Sequence, residues 1–510
     1  MKKLLYIFLV LSLMFACSDD EGNPCIYEPT LTTEAATNIA ETSATLNGVI
    51  SIVSENCDAP NNTEQGFVYS TEIQPTLADT QVNVNGTNVL TTIEGLESNT
   101  TYYVRAFLTN TFGDFYGNEV SFNTEEGCDV VYLDDNGITI KAFDCANIGD
   151  IGVVNGIAYT VLDYQTLKGK ILNGQDVTKV CTTKITDMSQ LLFINNTSTS
   201  SFNQDIGSWD LSNVTNMFGM LQSSDAFNQD IGDWDVSNVT DMDLLFNNTV
   251  FNQDIGDWDV SSVSSMRQMF AGSSFNQDIS SWDLSNVTNM AYMFLDSEFN
   301  QDIGDWDVSN VIEMESTFYN SMFNQDIGNW DVSNVTDMDL LFKNSVFNQD
   351  IGNWDVSSLT SMVGVFQNSV FNQDIGDWDV SGVTDMYWVF ESSLFNQDIG
   401  DWDVSNVTYM REMFQYAAFN QDIGDWDVSN VTDMRNMFYA NLAFNQDIGE
   451  WDVSNVNNMQ GMFWADQISS SFNQDLSMWD VSNEPLCQNF CIGNTQWTLP
   501  KPNFTTNCCF

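Results

Sequence analysis

The residues of this sequence with the means to do chemistry are its carboxylates, and they recur at fixed intervals. One aspartate column runs through Asp210, Asp235, Asp259, Asp283, Asp307, Asp331, Asp355, Asp379, Asp403, Asp427, Asp452 and Asp480 without exception. A neighbouring position holds Asp233, Asp257, Asp305, Asp377, Asp401, Asp425 and Glu450. Residues 202–483 contain 45 acidic and 4 basic residues, a net charge of −41. On strands stacked about 4.8 Å apart, equal charges line up and the repulsion needs an offset. Hydrogen bonds from the backbone, shifted pKa values or bound divalent cations such as calcium would each supply one. Structural hydrogen bonding is the plainer expectation. A cation ladder over Asp235, Asp259, Asp283, Asp307, Asp331, Asp355, Asp379, Asp403 and Asp427 is the sharper one. Paired carboxylates also hydrolyse glycosides, but near-identical copies offer no single distinguished cleft. No catalytic residue is assigned.

Composition narrows the chemistry further. The chain has no histidine, which removes Ser-His-Asp and Cys-His pairs and imidazole metal ligands. A formal charge of −58 over 510 residues excludes binding to nucleic-acid phosphates, which needs a basic surface. With 43% hydrophobic and 13% aromatic residues there is ample core material, so the charge does not mean disorder. All ten cysteines lie outside residues 182–486. Setting Cys17 aside leaves nine, so at least one is unpaired or bonded between chains. Cys487, Cys491, Cys508 and Cys509 have the wrong spacing for zinc and suit a disulfide-tied end.

The elements that must position these carboxylates are repeats. Phe-Asn-Gln-Asp begins at 202, 227, 251, 275, 299, 323, 347, 371, 395, 419, 444 and 472, with a degenerate thirteenth unit before them from Asp176. In one unit, Ile231, Trp234 and Val236 predict a strand with an inward apolar face. Val239, Met242 and Phe246 predict a short helical turn after a Ser237 or Asn238 cap. One unit cannot bury Trp234, Met242 and Phe246 alone; stacked copies can. The residue two after the helix Met varies (Leu244, Gln268, Tyr292, Ser316, Leu340, Trp388, Glu412, Asn436) and is expected to face solvent. Tyr292, Tyr387, Trp388 and Tyr409 are therefore the candidate ligand contacts, because exposed aromatics anchor interfaces. Scattered surface variation is the alternative. The repeated Asn-Val-Thr triplets match glycosylation acceptors, with capping the plainer role.

The repeat Phe-Asn-x-x-Ile-x-x-Trp-Asp-Val-Ser-x-Val-x-x-Met resembles that of the BspA-type leucine-rich-repeat surface proteins over residues 176–483. The resemblance implies a cell-surface protein, often a lipoprotein, with adhesion attributed to some members and no catalytic residues. Short alternating segments in residues 26–124, with Leu96 and Tyr102 flanking a corner, resemble a fibronectin type III module. Lys2 and Lys3, the apolar run Leu4 to Phe15, and Ala16-Cys17 before Ser18-Asp19-Asp20-Glu21 resemble a bacterial lipoprotein signal, which implies lipidation at Cys17.

The expected fold is mostly β with short helices: a right-handed, leucine-rich-repeat-like solenoid of about 13 units preceded by a β-sandwich. Residues 1–16 are the signal, 17–25 the lipidated cysteine and linker, and 26–124 the sandwich. Residues 128–175 and 484–510 are caps around the repeats at 176–483, and in the first of them Val154-Asn155-Gly156-Ile157-Ala158-Tyr159-Thr160-Val161 predicts a hairpin. The expected role is a non-enzymatic outer-membrane lipoprotein, held to the membrane by lipid alone, that binds an extracellular protein or glycan. A cation-dependent surface-layer component and a carbohydrate-active enzyme are the alternatives.

Overall fold

The computed structural model describes residues 24–193, 201–465 and 470–509. Cys17 and the signal segment lie outside these residues. The chain divides into two compact units, Met1–Cys128 and Asp129–Phe510. The structure is mostly β and turn, with one short helix among the described residues. No helix there is long and apolar enough to cross a membrane.

In the first unit, β1 (Ile26–Thr37), β2 (Ser43–Glu55) and β5 (Asn88–Glu94) form one antiparallel sheet. A second contains β3 (Glu64–Ser70), β4 (Thr80–Asn83), β6 (Thr101–Asn110), β7 (Gly113–Tyr116) and β8 (Val120–Asn123). Leu46, Ile50 and Val89 from the first sheet pack with Phe67, Val104 and Ala106 from the second in one core. This is the period-two alternation of strands with one wet face. Leu96 is buried, and the Glu97 N–H donates to Tyr102 Oη at 3.0 Å, fixing the bend before β6. Cys25–Cys57 ties β1 to the end of β2.

The second unit opens with β9 (Val131–Leu133) against β10 (Ile140–Ala142), and a hairpin of β11 (Ile151–Val154) and β12 (Ile157–Val161). Asn155 (φ 51°) and Gly156 (φ 81°) make the tight turn the sequence predicts there. Helix α1 (Tyr164–Leu172), not expected from the sequence, is capped by Asp163, which accepts from the Thr166 N–H at 2.8 Å. Strand β13 (Val180–Cys181) then pairs parallel with β12.

From there the chain stacks repeat on repeat. A single column of parallel bridges runs from Asp187↔Asn216 through Asp241↔Ser265 to Asn458↔Leu486. This corrects the expected layout twice. The predicted strand around Ile231–Val236 is two successive turns, closed by Trp234 N–H to Ile231 O and Val239 N–H to Val236 O. The predicted helical turn at Val239–Phe246 is not helical: the bridge falls at Asp241, and Leu244 sits in the left-handed region at φ 60°. The i, i+3, i+7 apolar spacing is common to helices and to consecutive β-turns, so spacing alone could not separate them. The backbone donors do. The N–H groups of Met242, Leu244, Phe246 and Asn248 donate to Ser265, Arg267, Met269 and Ala271 of the next repeat, not to residues four back. The alternate N–H groups of Leu245 and Asn247 close turns within the repeat.

Inward residues are those the sequence marks. Ile231, Trp234, Val236, Val239, Met242 and Phe246 are all buried, as is Leu245. Each opening Phe stacks on the next, from Phe202 to Phe472, at centroid distances of 5.9–6.3 Å. A second phenylalanine column, Phe246 to Phe463, stacks at 5.5–6.0 Å. The columns touch, as at Phe246–Phe251 (4.3 Å). At the C-terminal end, Cys487–Cys508 and Cys491–Cys509 are disulfides, while Cys181 is buried and free. That single thiol accounts for the odd cysteine.

Trp306 is 3% exposed, stacks on Trp330, and donates from Nε1 to Ile279 O at 3.0 Å. Trp306→Ala should cost about 3–5 kcal/mol at its own junction. In a stack of nearest-neighbour contacts, that loss splits thermal unfolding into two blocks. Calorimetry showing one unshifted transition would contradict the packing described.

Candidate functional site

Most side chains that never change from repeat to repeat are spent on the neighbouring repeat. Each Asn of Phe-Asn-Gln-Asp accepts, through Oδ1, the N–H of the next such Asn, from Asn203 through Asn445, at 2.8–3.0 Å. The following Gln donates to the preceding Asn, as Gln301 Nε2 does to Asn276 O (3.1 Å). Twelve tryptophans donate from Nε1 to a carbonyl of the preceding unit at 2.9–3.1 Å. The Asn238 side-chain amide donates to Ser212 O, so this Asn-Val-Thr triplet has a structural use.

The aspartate column does not line a concave sheet. Apart from buried Asp210, its members are exposed, and all twelve accept the N–H of the serine two residues on at 2.9–3.2 Å. The result is an Asx turn, for which Asp-x-Ser is well suited. The serine hydroxyl and N–H hold the Asp283, Asp355 and Asp403 carboxyls below the usual range. The Asp of Phe-Asn-Gln-Asp makes the same turn, as Asp230 does with the Gly232 N–H (3.1 Å). Among the described residues no group of three or more Asp, Glu, Cys or His side chains gathers at metal-binding distance.

A third turn sits on the bridge column, where Asp241 Oδ1 accepts the Asp243 N–H (2.9 Å). Two repeats carry Ser265 or Ser361 there, whose hydroxyls turn instead to the preceding repeat. In both cases the preceding repeat supplies an aspartate. Asp243 accepts from Ser265 Oγ and the Arg267 N–H, and Asp339 from Ser361 Oγ and the Val363 N–H. The signal was in the sequence as Asp-Met-Asp followed 24 residues later by Ser-Met, in Ser264-Ser265-Met266 and Thr360-Ser361-Met362, and single-position reading missed it. Burial raises the Asp339 carboxyl from 3.8 to about 6.

The candidate ligand contacts occupy the positions left over. The variable column does not face solvent as expected. Its members are half-buried, apart from buried Ser316, and all eight are left-handed, from Asn436 at φ 53° to Trp388 at φ 65°. Tyr387 and Trp388 come together, ring centroids 4.3 Å apart. Arg411 lies 4.4 Å from the Tyr387 ring and 5.4 Å from that of Trp388, with Lys343 Nζ 5.9 Å from the latter. Trp388 Nε1 donates to Glu412 Oε2 (2.7 Å), and Arg435 reaches Glu412 Oε1 (3.4 Å). Tyr292 stands four repeats away beside Arg267; burial and Glu315 push its hydroxyl to about 12. Tyr409 is exposed, on the bridge column next to Asp385. Sequence reading missed the basic members of this cluster. Three of the four repeat cations, Lys343, Arg411 and Arg435, gather there.

The family described as "Mycoplasma protein of unknown function, DUF285" matches residues 163–274, 247–346, 320–418 and 389–498, a continuous run through most of the repeats. The chain belongs to this family. No curated protein matches it. Among solved structures, the sensor domain of the anti-sigma factor RsgI4 of Pseudobacteroides cellulosolvens is 18% identical and covers 20% of this chain and 76% of its own. Its TM-score of 0.16 is too low to relate the folds. In these repeats, then, the invariant residues build the stack.

Asp339 gives a pH test of this accounting. Its folded pKa lies above the unfolded one, so the stabilising protonated form is fully present below about 4 and lost as pH rises through about 6. Asp339→Asn keeps an acceptor for Ser361 and Val363. It should stabilise the protein at pH 7 by on the order of 1 kcal/mol, allowing for partial solvent access. The gain over the parent should vanish by pH 4. A pH-independent difference in melting would refute the assignment.

Proposed function

We propose that this chain is a non-enzymatic bacterial surface lipoprotein, anchored through Cys17, that presents its repeats as a BspA-type solenoid for adhesion. Its partner would be an extracellular protein or glycan. The observation that carries this reading is the division of labour within the repeat. Asn, Trp and Asp columns are engaged with backbone groups, whereas Tyr387, Trp388, Arg411 and Glu412 vary from repeat to repeat and cluster at the surface. Aromatic and arginine side chains are the common anchors of binding surfaces. The first unit is read as a fibronectin type III-like sandwich acting as a spacer. Its two sheets, with Leu96 and the Tyr102 hydroxyl at the corner, support that reading. The leucine-rich-repeat comparison extends to the stacking and the inward pattern, not to a helix in each unit.

The test pairs location with binding. The full chain should sediment with membranes, and Cys17→Ser should move it to the soluble fraction. The soluble form should bind saturably to at least one immobilised matrix protein or glycan. Unchanged sedimentation of Cys17→Ser rejects the anchor; a featureless screen rejects adhesion.

A further inference from the structure

The variable column carries glycine at Gly219, Gly364 and Gly461. Gly364 (φ 57°) lies between Leu340 and Trp388, with the Leu340 side chain closed over it. A Cβ there would lie 2.7 Å from Leu340 Cδ2 and 3.2 Å from Gln367 Oε1. Gln367 is 9% exposed; its Nε2 donates to Glu391, and its Oε1 has no hydrogen-bond partner. A buried acceptor left unpaired keeps its full desolvation penalty. The same surface holds three more buried atoms without a hydrogen bond: Gln415 Oε1, Arg411 Nε and Arg435 Nε. These four are the majority of the six such side-chain atoms among the described residues.

Two acceptors and two donors without a hydrogen bond, beside an aromatic pair, ask for a partner that both donates and accepts. A hydroxyl does both from one atom, and a pyranose carries several around a ring whose C–H face packs on an indole. Charge selects further. Arg411 and Arg435 already face Glu412, and the chain around them is strongly acidic, so an anionic ligand is repelled on approach and a neutral one is not.

We propose that the notch at Gly364, bordered by Leu340, Lys343, Gln367 and Trp388, is a subsite for a neutral glycan. One hydroxyl pairs with Gln367 Oε1, and the sugar ring packs against Trp388. Leu340 covers the notch and is the flexible side chain that shifts to admit it. This rests on the adhesion reading and specifies its ligand.

The experiment is isothermal titration of the full-length Cys17→Ser protein with neutral hexasaccharides of glucose, mannose and galactose. Chondroitin sulfate and immobilised matrix proteins serve as comparisons. Gly364→Asn fills the notch with a residue that the same column accepts at Asn436 (φ 53°), so the backbone tolerates it. Gln367→Met keeps the volume and removes the acceptor. At least one neutral hexasaccharide should bind, about 10-fold more weakly to each variant, with melting of Gly364→Asn unchanged. Equal affinity for parent and both variants overturns the site while leaving adhesion standing. Binding only to chondroitin sulfate, or only to matrix proteins, overturns the glycan class and again leaves adhesion standing. No binding to any probe overturns both.

Discussion

Within a repeat, the N–H groups of Met242, Leu244, Phe246 and Asn248 have no acceptor of their own; the next repeat supplies all four. A buried N–H without a partner costs free energy comparable to a lost hydrogen bond. Every repeat therefore needs a neighbour presenting carbonyls at the same spacing, and that requirement fixes much else. The near-constant 24-residue step keeps donors and acceptors level. The left-handed residues at Leu244 and Asn248 are both on donating positions, although such a conformation costs a non-glycine residue roughly 1–2 kcal/mol. Stacked phenylalanines and the asparagine ladder add side-chain contacts in the same direction.

The acidity of the repeats follows from the same economy. A turn closed by the residue two positions on needs a short acceptor side chain, and aspartate or asparagine suits it. Repeats that make three such turns each acquire their charge as a by-product of backbone satisfaction. The carboxylates of the first two turns accept hydrogen bonds from their own repeat and remain in water, where screening keeps their mutual repulsion small. Asp339 is an exception: it reaches across to Ser361 and becomes buried enough to hold its proton more tightly.

The inward pattern was legible because burial depends on spacing, and Ile231, Trp234, Val236, Met242 and Phe246 declare theirs. Backbone conformation was not, because an i, i+3 pattern fits turns and helices alike, and nothing at Leu244 announces a positive φ. The hairpin at Asn155-Gly156 was legible because its turn chemistry is local. Of the site, the aromatic members Tyr387 and Trp388 stood out as variable rings in a constant frame. Gly364 and Gln367 did not, since a missing side chain and an unpaired amide matter only once neighbours are in place. Tyr292 shares the column position of Trp388 but not its surroundings, so position alone was too coarse a guide.

The claim that each repeat depends only on its neighbours is tested most directly by removing one. Excising residues 323–346 joins Met322 to Phe347 and sets like against like: Asn300 would meet Asn348, and Ile303 would accept from Trp354. Circular dichroism and denaturant unfolding of the shortened chain should show an intact fold, with the unfolding slope reduced by one repeat's share. Loss of the folded state would show that the repeats are not interchangeable, and that something other than the axial ladder holds the structure together.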